Sequence, residues 1–270
     1  MKITNNLIET HVVNEYIKGV NNIELSNKYD LHRTTIQRIL LRNNVTLRKQ
    51  NITSRKHILI NENYFNIIDT EEKGYVLGLL YADGYINKNG FGISLIEGDK
   101  EILEKLSIIF YNKIVLGYRK GKLISNKYFN KPQYRLEIVS MKMKNDLIAH
   151  GCMEAKSFKI RFPVLYNENI YRAFIRGYYD GDGCLTIPTK KASNVTLTIT
   201  SNTKFCNELA EYVNRHLDIN MKSVIRYNNI GCTRLTGKLQ IIKFLNWMYL
   251  NSSIHLMRKY DKYMKLWQNT

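Results

Sequence analysis

At 270 residues the chain exceeds the roughly 100–150 of a common single domain, so two compact units or a domain with an appendage are expected. Apolar residues at 44% and aromatics at 11% suffice for a real core, which excludes a disordered chain. The formal net charge of +18 is an excess that a polyanion relieves, and nucleic acid is the usual polyanion.

Cys152, Cys184, Cys206 and Cys232 form no C-x-x-C pair and read as buried small hydrophobes in a reducing compartment. The six histidines show no metal-ligand spacing. The N-terminal MKITNNLIETHVV lacks an apolar h-region, and no stretch approaches the ~18 apolar residues of a membrane span. A soluble intracellular protein with no membrane partner is expected, in a bacterial or phage-infected cytoplasm or in an organelle.

The first 48 residues read as a small all-α unit. A periodic segment over 6–18 ends at Gly19, a candidate C-cap. Ile23, Leu25 and Tyr29 suit one short helix, and Ile36, Ile39 and Leu40 a second, with Asp30, Leu31 and His32 between them. Two short helices across a tight turn, the second basic, suggest a helix-turn-helix with Thr34, Thr35, Gln37 and Arg38 facing a DNA groove. The competing reading is a helical hairpin that merely packs. Residues 49–68 read as a basic linker.

Two halves follow, 69–165 and 166–270, that repeat each other. GYVLGLLYADGYI set beside AFIRGYYDGDGCL matches Gly78 to Gly177, Asp83 to Asp182 and Gly84 to Gly183, each pair 99 positions apart. After the first copy come strand FGISLIE, helix DKEILEKLSIIF, strands IVLGYRK and YRLEIVS, and helix KMKNDLIAHG. After the second come VTLTITSN, TKFCNELAEYVNRHL, SVIRYNN, CTRLTG and LQIIKFLNWMYL in the same order. The fold class is therefore α+β, a pseudo-two-fold duplication of αββαββα with antiparallel sheets. Alternating strands bury one face and leave the other polar, and such a face can lie in the major groove. Arg119, Lys120, Lys122, Arg135, Arg226, Asn228 and Arg234 are the candidate DNA contacts, with Arg226 and Asn228 expected on one face of the strand from Ser223 to Asn228.

Each repeated motif is an apolar helix ending in an acid and a glycine. Gly78 and Gly177 cost about 1 kcal/mol of helix propensity each relative to alanine, which suggests close helix approach there. Gly84 and Gly183 read as helix stops. Asp83 and Asp182 then fall in the last turn, where a carboxylate opposes the helix dipole by roughly 0.3–1 kcal/mol. Two such acids converging are hard to explain as structure and easy to explain as a divalent-metal site. Asp180, two positions before Asp182, does not share its face and reads as a surface or interface acid.

VLGLLYADG and IRGYYDGDG resemble the two motif copies of the LAGLIDADG homing endonucleases in their two-repeat, monomeric form. The resemblance runs from about Thr70 to the C-terminus and includes EAKSFKIRFP and HLMRKYDKYMKLW. It implies metal-dependent double-strand cleavage of a long DNA site. The motif helices would form the interface between halves, and Asp83 and Asp182 would bind Mg²⁺ or Mn²⁺, with the backbone of Ala82 and Gly181 as further ligands. It also implies an active-site lysine at Lys156. Repeat alignment offers no second lysine near Ile254, so the halves would be catalytically unequal. Glu97, and Ser201 or Asn202 in the other half, would position water. Family resemblance leaves two alternatives: a non-catalytic transcriptional regulator with a helix-turn-helix, or a maturase that binds intron RNA. An intein is not expected, since the chain opens Met1-Lys2 and ends Gln268-Asn269-Thr270.

Overall fold

A computed structural model describes residues 2–47, 57–125, 128–153, 159–187 and 194–268. The chain divides into two compact units, Met1–Ile58 and Leu59–Thr270. The first holds α1 (Lys2–Ile17), α2 (Asn22–Tyr29) and α3 (Arg33–Arg42). Asn21 caps α2 by accepting from the backbone N–H groups of Ile23 and Glu24, and Asp30 ends it in the left-handed region at φ 50°. Val12, Tyr16 and Leu25 pack with Ile36, Ile39 and Leu40 of α3 in a small core. That spacing turns one face of α3 inward, so Thr34, Gln37 and Arg38 are exposed and Thr35 is half-buried.

The second unit begins earlier than a linker over 49–68 would allow. Leu59, Tyr64, Phe65 and Ile68 are buried in its core, and the Ile60 N–H donates to the Phe110 carbonyl at 2.9 Å. These apolar residues draw the chain into the core, while 48–56 of that basic stretch lie outside the described residues.

The first repeat runs α4 (Glu71–Asp83), β1 (Gly84–Asn87), β2 (Gly90–Ile96), α5 (Lys100–Tyr111), β3 (Gly117–Arg119), β4 (Lys122–Ser125), β5 (Tyr128–Asn130), β6 (Gln133–Ile138) and α6 (Met141–Ala149). The second runs α7 (Glu168–Asp182), β7 (Gly183–Thr186), β8 (Thr196–Asn202), α8 (Thr203–Leu217), β9 (Lys222–Tyr227), β10 (Ile230–Thr236), α9 (Lys238–Tyr249) and α10 (Met257–Gln268). The two antiparallel sheets have matching orders, β1-β2-β6-β3 and β7-β8-β10-β9. This is the duplicated α+β arrangement expected from the repeat, with additions. The strand expected over IVLGYRK is only three residues long, so Lys120 lies outside it, and Lys122 starts an extra two-stranded ribbon, β4–β5. Strand β9 stops at Tyr227, because Asn228 and Asn229 take φ 43° and 65° as the hairpin turn. Asn228 therefore does not continue the alternation of Arg226.

Both motif helices start on capped, acidic first turns. Thr70 caps α4 ahead of Glu71 and Glu72, and Asn167 caps α7 ahead of Glu168. One continuous core joins the repeats, with Tyr75, Leu79, Phe174 and Tyr178 contributed by the helix pair.

Candidate active site at the paired helix ends

Helices α4 and α7 approach as closely as backbones allow. A Cβ built on Gly78 would stand 2.0 Å from the Phe174 carbonyl oxygen, and one on Gly177 would stand 2.1 Å from that of Tyr75. Tyr75 and Phe174 are themselves equivalent in the repeat, so the two contacts are reciprocal. One turn further along, a Cβ on Gly181 would lie 2.3 Å from the Ala82 Cβ and 2.8 Å from Asp83 Oδ2. The small residues thus bring the Asp83 carboxylate against the final turn of α7, one residue from Asp182.

Both helices pass directly into strands at Gly84 and Gly183, and neither glycine adopts a left-handed cap. Their ψ values of 160° and 155° are extended. What each position requires is the absence of a side chain, since a Cβ would come within 2.6 Å of the Leu80 carbonyl oxygen or 2.5 Å of that of Tyr179. Asp83 is half-buried and Asp182 exposed. Each is the last helical residue, where the negative dipole ends disfavour a carboxylate unless a cation is near.

Among the described residues a buried protein cation is near. Lys259 of α10 is buried, and its Nζ donates to the carbonyls of Tyr179 and Gly183, both at 2.6 Å, and of Gly181 at 3.4 Å. Burial pushes its pKa down to about 8, against the opposing attraction of Asp180, Asp83 and Asp182. Sequence reasoning looked for a second-half lysine near Ile254 and missed this one five residues on. The signal lay in HLMRKYDKYMKLW, whose register depends on the loop between α9 and α10. Lys156 lies outside the described residues.

Asp180 is an interface acid with no exposed surface. Its Oδ2 accepts from the Tyr75 hydroxyl of α4 and from the Leu256 N–H that leads into α10, each at 2.8 Å. Burial raises its pKa to about 6 despite those donors. Arg258, beside Lys259, makes a two-pronged pair with buried Asp99 of the first repeat at 2.7 and 2.9 Å. The C-terminal segment is thereby tied to both repeats.

A recess of about 220 Å³ opens beside Asp182, lined by Tyr81 and Ala82 of α4, Tyr178 of α7, and Thr200 and Ser201 of β8. Within it the Tyr178 hydroxyl donates to Ser201 Oγ at 2.8 Å. Asn202 does not face this recess. Its Oδ1 caps α8 by accepting from the Phe205 N–H and its Nδ2 donates to the Ile160 carbonyl, so both groups are committed to the fold. Glu97 is exposed in the turn after β2.

Arg119, Arg135, Arg226 and Arg234 lie on strands of the two four-stranded sheets, Lys122 on the ribbon, and Lys120 and Asn228 in the connections beside them. Arg119, Lys120, Lys122, Arg135, Arg226, Asn228 and Arg234 are all exposed. In the second sheet Arg234 stands between Thr198 and Lys222.

The donor set suits a hard cation: carboxylate and carbonyl oxygens at two converging negative helix ends fit Mg²⁺ by chemistry. Among the described residues no group of three or more His, Cys, Asp or Glu gathers, so a metal there would depend on the two aspartates with backbone, water or phosphate oxygens.

Residues 169–246, which include α7 and the strands after it, match the model of the LAGLIDADG-like domain. An uncharacterised protein of Methanocaldococcus jannaschii is 27% identical over 158 residues, 57% of this chain and 56% of that protein. The chain thus spans about half the length of that curated relative. Among solved structures it is similar to the LAGLIDADG homing endonuclease I-GzeII in complex with its DNA target, at 14% identity and a TM-score of 0.49, over 72% of this chain and 88% of that one. It is also similar to full-length WhiA from Thermatoga maritima, at 13% identity and a TM-score of 0.44, over 78% and 66% of the two chains. The matched residues include Asp180 and Asp182. Among the described residues no helix is long and apolar enough to cross a membrane.

Proposed function

We propose that the chain is a site-specific endonuclease acting as a monomer on double-stranded DNA, with Asp83 and Asp182 as its catalytic carboxylates. The observation that carries this reading is the close approach of the two motif helix ends, where a Cβ on Gly181 would lie 2.8 Å from Asp83 Oδ2, one residue before Asp182. Two carboxylates at adjoining negative helix ends oppose both helix dipoles, and a divalent cation that activates a phosphodiester would relieve that cost. Asp83 and Asp182 would hold Mg²⁺ or Mn²⁺, helped by the carbonyls of Ala82 and Gly181. A divalent cation there would supply Lewis-acid polarisation of a phosphate oxygen.

The chain's own groups do the rest. Lys259 neutralises the end of α7 and holds Asp182 in place through the Tyr179 and Gly183 carbonyls. Ser201 lines the recess beside Asp182, its hydroxyl hydrogen-bonded to that of Tyr178. Basic residues of the two sheets bind the duplex, and α3, through Thr34, Thr35, Gln37 and Arg38, extends the footprint as the second helix of a helix-turn-helix.

The test is a cleavage assay with Mg²⁺ on a randomised double-stranded library, comparing the wild type with an Asp83→Asn, Asp182→Asn double variant. Sequence-specific cutting by the wild type alone is expected. Binding without any cutting by the wild type would overturn the enzyme and favour a DNA-binding regulator. Cutting by the double variant would overturn the assignment of the aspartates, and preference for structured RNA would favour a maturase.

A further inference from the structure

Glu137 is an acid on a sheet face that otherwise offers Arg119, Gln133, Arg135 and Ser94. On β6, Leu136 and Ile138 are buried, so Gln133, Arg135 and Glu137 point to the opposite side, with the Arg135 and Glu137 side chains about half exposed at 51% and 46%. A carboxylate on a surface that meets a polyanion costs binding energy unless it faces donors on the partner. An exposed ion pair alone repays little, typically below about 1 kcal/mol.

This carboxylate is held with care. Tyr85 of β1, Gly92 of β2 and Glu137 of β6 stand in register across three strands. Because residue 92 has no side chain, the Tyr85 ring lies over β2, where a Cβ would meet its hydroxyl oxygen at 2.6 Å. From there the Tyr85 hydroxyl donates to Glu137 Oε1 at 3.1 Å, and Arg135 Nη1 sits 3.3 Å from the same oxygen. Among the described residues the contacts to Glu137 are made at Oε1, which leaves Oε2 to accept from a ligand beside the guanidinium.

Two donors of a guanidinium fork beside one carboxylate acceptor complement an acceptor–acceptor–donor edge, whereas an A·T pair presents acceptor–donor–acceptor. The major-groove edge of a G·C pair presents the guanine acceptors N7 and O6 and, adjacent to them, the cytosine N4 amino donor. Resting on the DNA-binding reading above, we propose that Arg135 and Glu137 together read a single G·C base pair. Arg135 takes guanine, Glu137 takes cytosine N4, and Tyr85 is a positioning residue that holds the carboxylate. In the second repeat an arginine takes the place of the acid. Gly183 pairs with Ile199 and Ile199 with Thr233 as Gly84 pairs with Ile93 and Ile93 with Leu136, so Arg234 stands where Glu137 would be and Cys232 where Arg135 would be. The two half-sites are therefore read unequally at this position.

The full-length protein is bound to randomised duplex DNA without cleavage and the retained fraction sequenced, for wild type, Glu137→Gln, Tyr85→Phe and Arg234→Ala. One position preferring G·C in the wild type is expected to lose that preference by about tenfold in Glu137→Gln, with the other positions unchanged. Tyr85→Phe relaxes the same position to a lesser degree. Arg234→Ala alters a different one. Unchanged preferences in Glu137→Gln, or a uniform loss at all positions, would overturn the proposal and leave Glu137 as a surface ion pair. A wild type that enriches no DNA sequence would overturn the DNA-binding reading itself and this inference with it.

Discussion

Replacing Gly78 by alanine tests the helix contact on which the site depends. The new Cβ would stand 2.0 Å from the Phe174 carbonyl oxygen, and also 2.9 Å from the Tyr178 nitrogen. These obstacles are backbone atoms of a buried helix, so no side-chain rotation relieves them. Overpacking of a core costs about 1–3 kcal/mol and more where backbone must move. Alanine returns about 1 kcal/mol of helix propensity. The helices must also separate by on the order of 1 Å, which forfeits a quarter to a half of the dispersion energy along the contact. The balance is a loss of about 2 kcal/mol or more, equivalent to a fall in Tm of roughly 4–8 °C for a unit of this size. Thermal unfolding by circular dichroism measures it, with Gly98→Ala as the control, since a Cβ there meets nothing within 4 Å. Equal melting temperatures for the two variants would refute the close-packed interface.

Asp180→Ala strands the Leu256 N–H and the Tyr75 hydroxyl in a buried site, and a loss of about 2 kcal/mol or more is expected from urea unfolding. His255 has its pKa lowered from 6.5 by burial and by the charges of Arg176 and Lys105. Below 6.5 the unfolded chain therefore binds the proton more readily than the folded one, and this contribution to stability falls as pH drops. Denaturation at pH 7.5 and 5.5 should show a smaller acid loss in His255→Gln than in the wild type. Removing divalent metal with EDTA is expected to abolish cleavage while duplex binding in a mobility-shift assay persists. Deleting residues 1–58 is expected to weaken DNA binding and shorten the nuclease footprint while some cleavage remains; equally tight binding by the truncated chain would contradict a DNA-contacting role for α3.

The repeat was legible in the sequence because each motif is a local pattern. Gly78 and Gly177, Asp83 and Asp182, and Gly84 and Gly183 keep one spacing, and the alternation in Val195–Thr200 marks a strand without knowledge of its neighbours. Less legible were features set by segments that meet from a distance. Asp180 reads as an ordinary acid until Tyr75, some hundred residues earlier, and Leu256, far later, close over it. Tyr85 and Glu137 meet only because β1, β2 and β6 align at Gly92.

The amino-acid sequence by itself determined the duplicated helix-and-strand order and the acid at the end of each motif helix, since periodicity and helix stops act over a few residues. Only the tertiary structure decided what surrounds those acids. Lys259 reaches the end of α7 because the chain after α9 turns back onto it, and the burial that makes that amine a neighbour of Asp83 and Asp182 belongs to the packed whole. Gly84 and Gly183 show the same division. Their positions are plain in the sequence, but the reason no side chain fits there is the carbonyl of the preceding turn, which only the folded chain puts in the way.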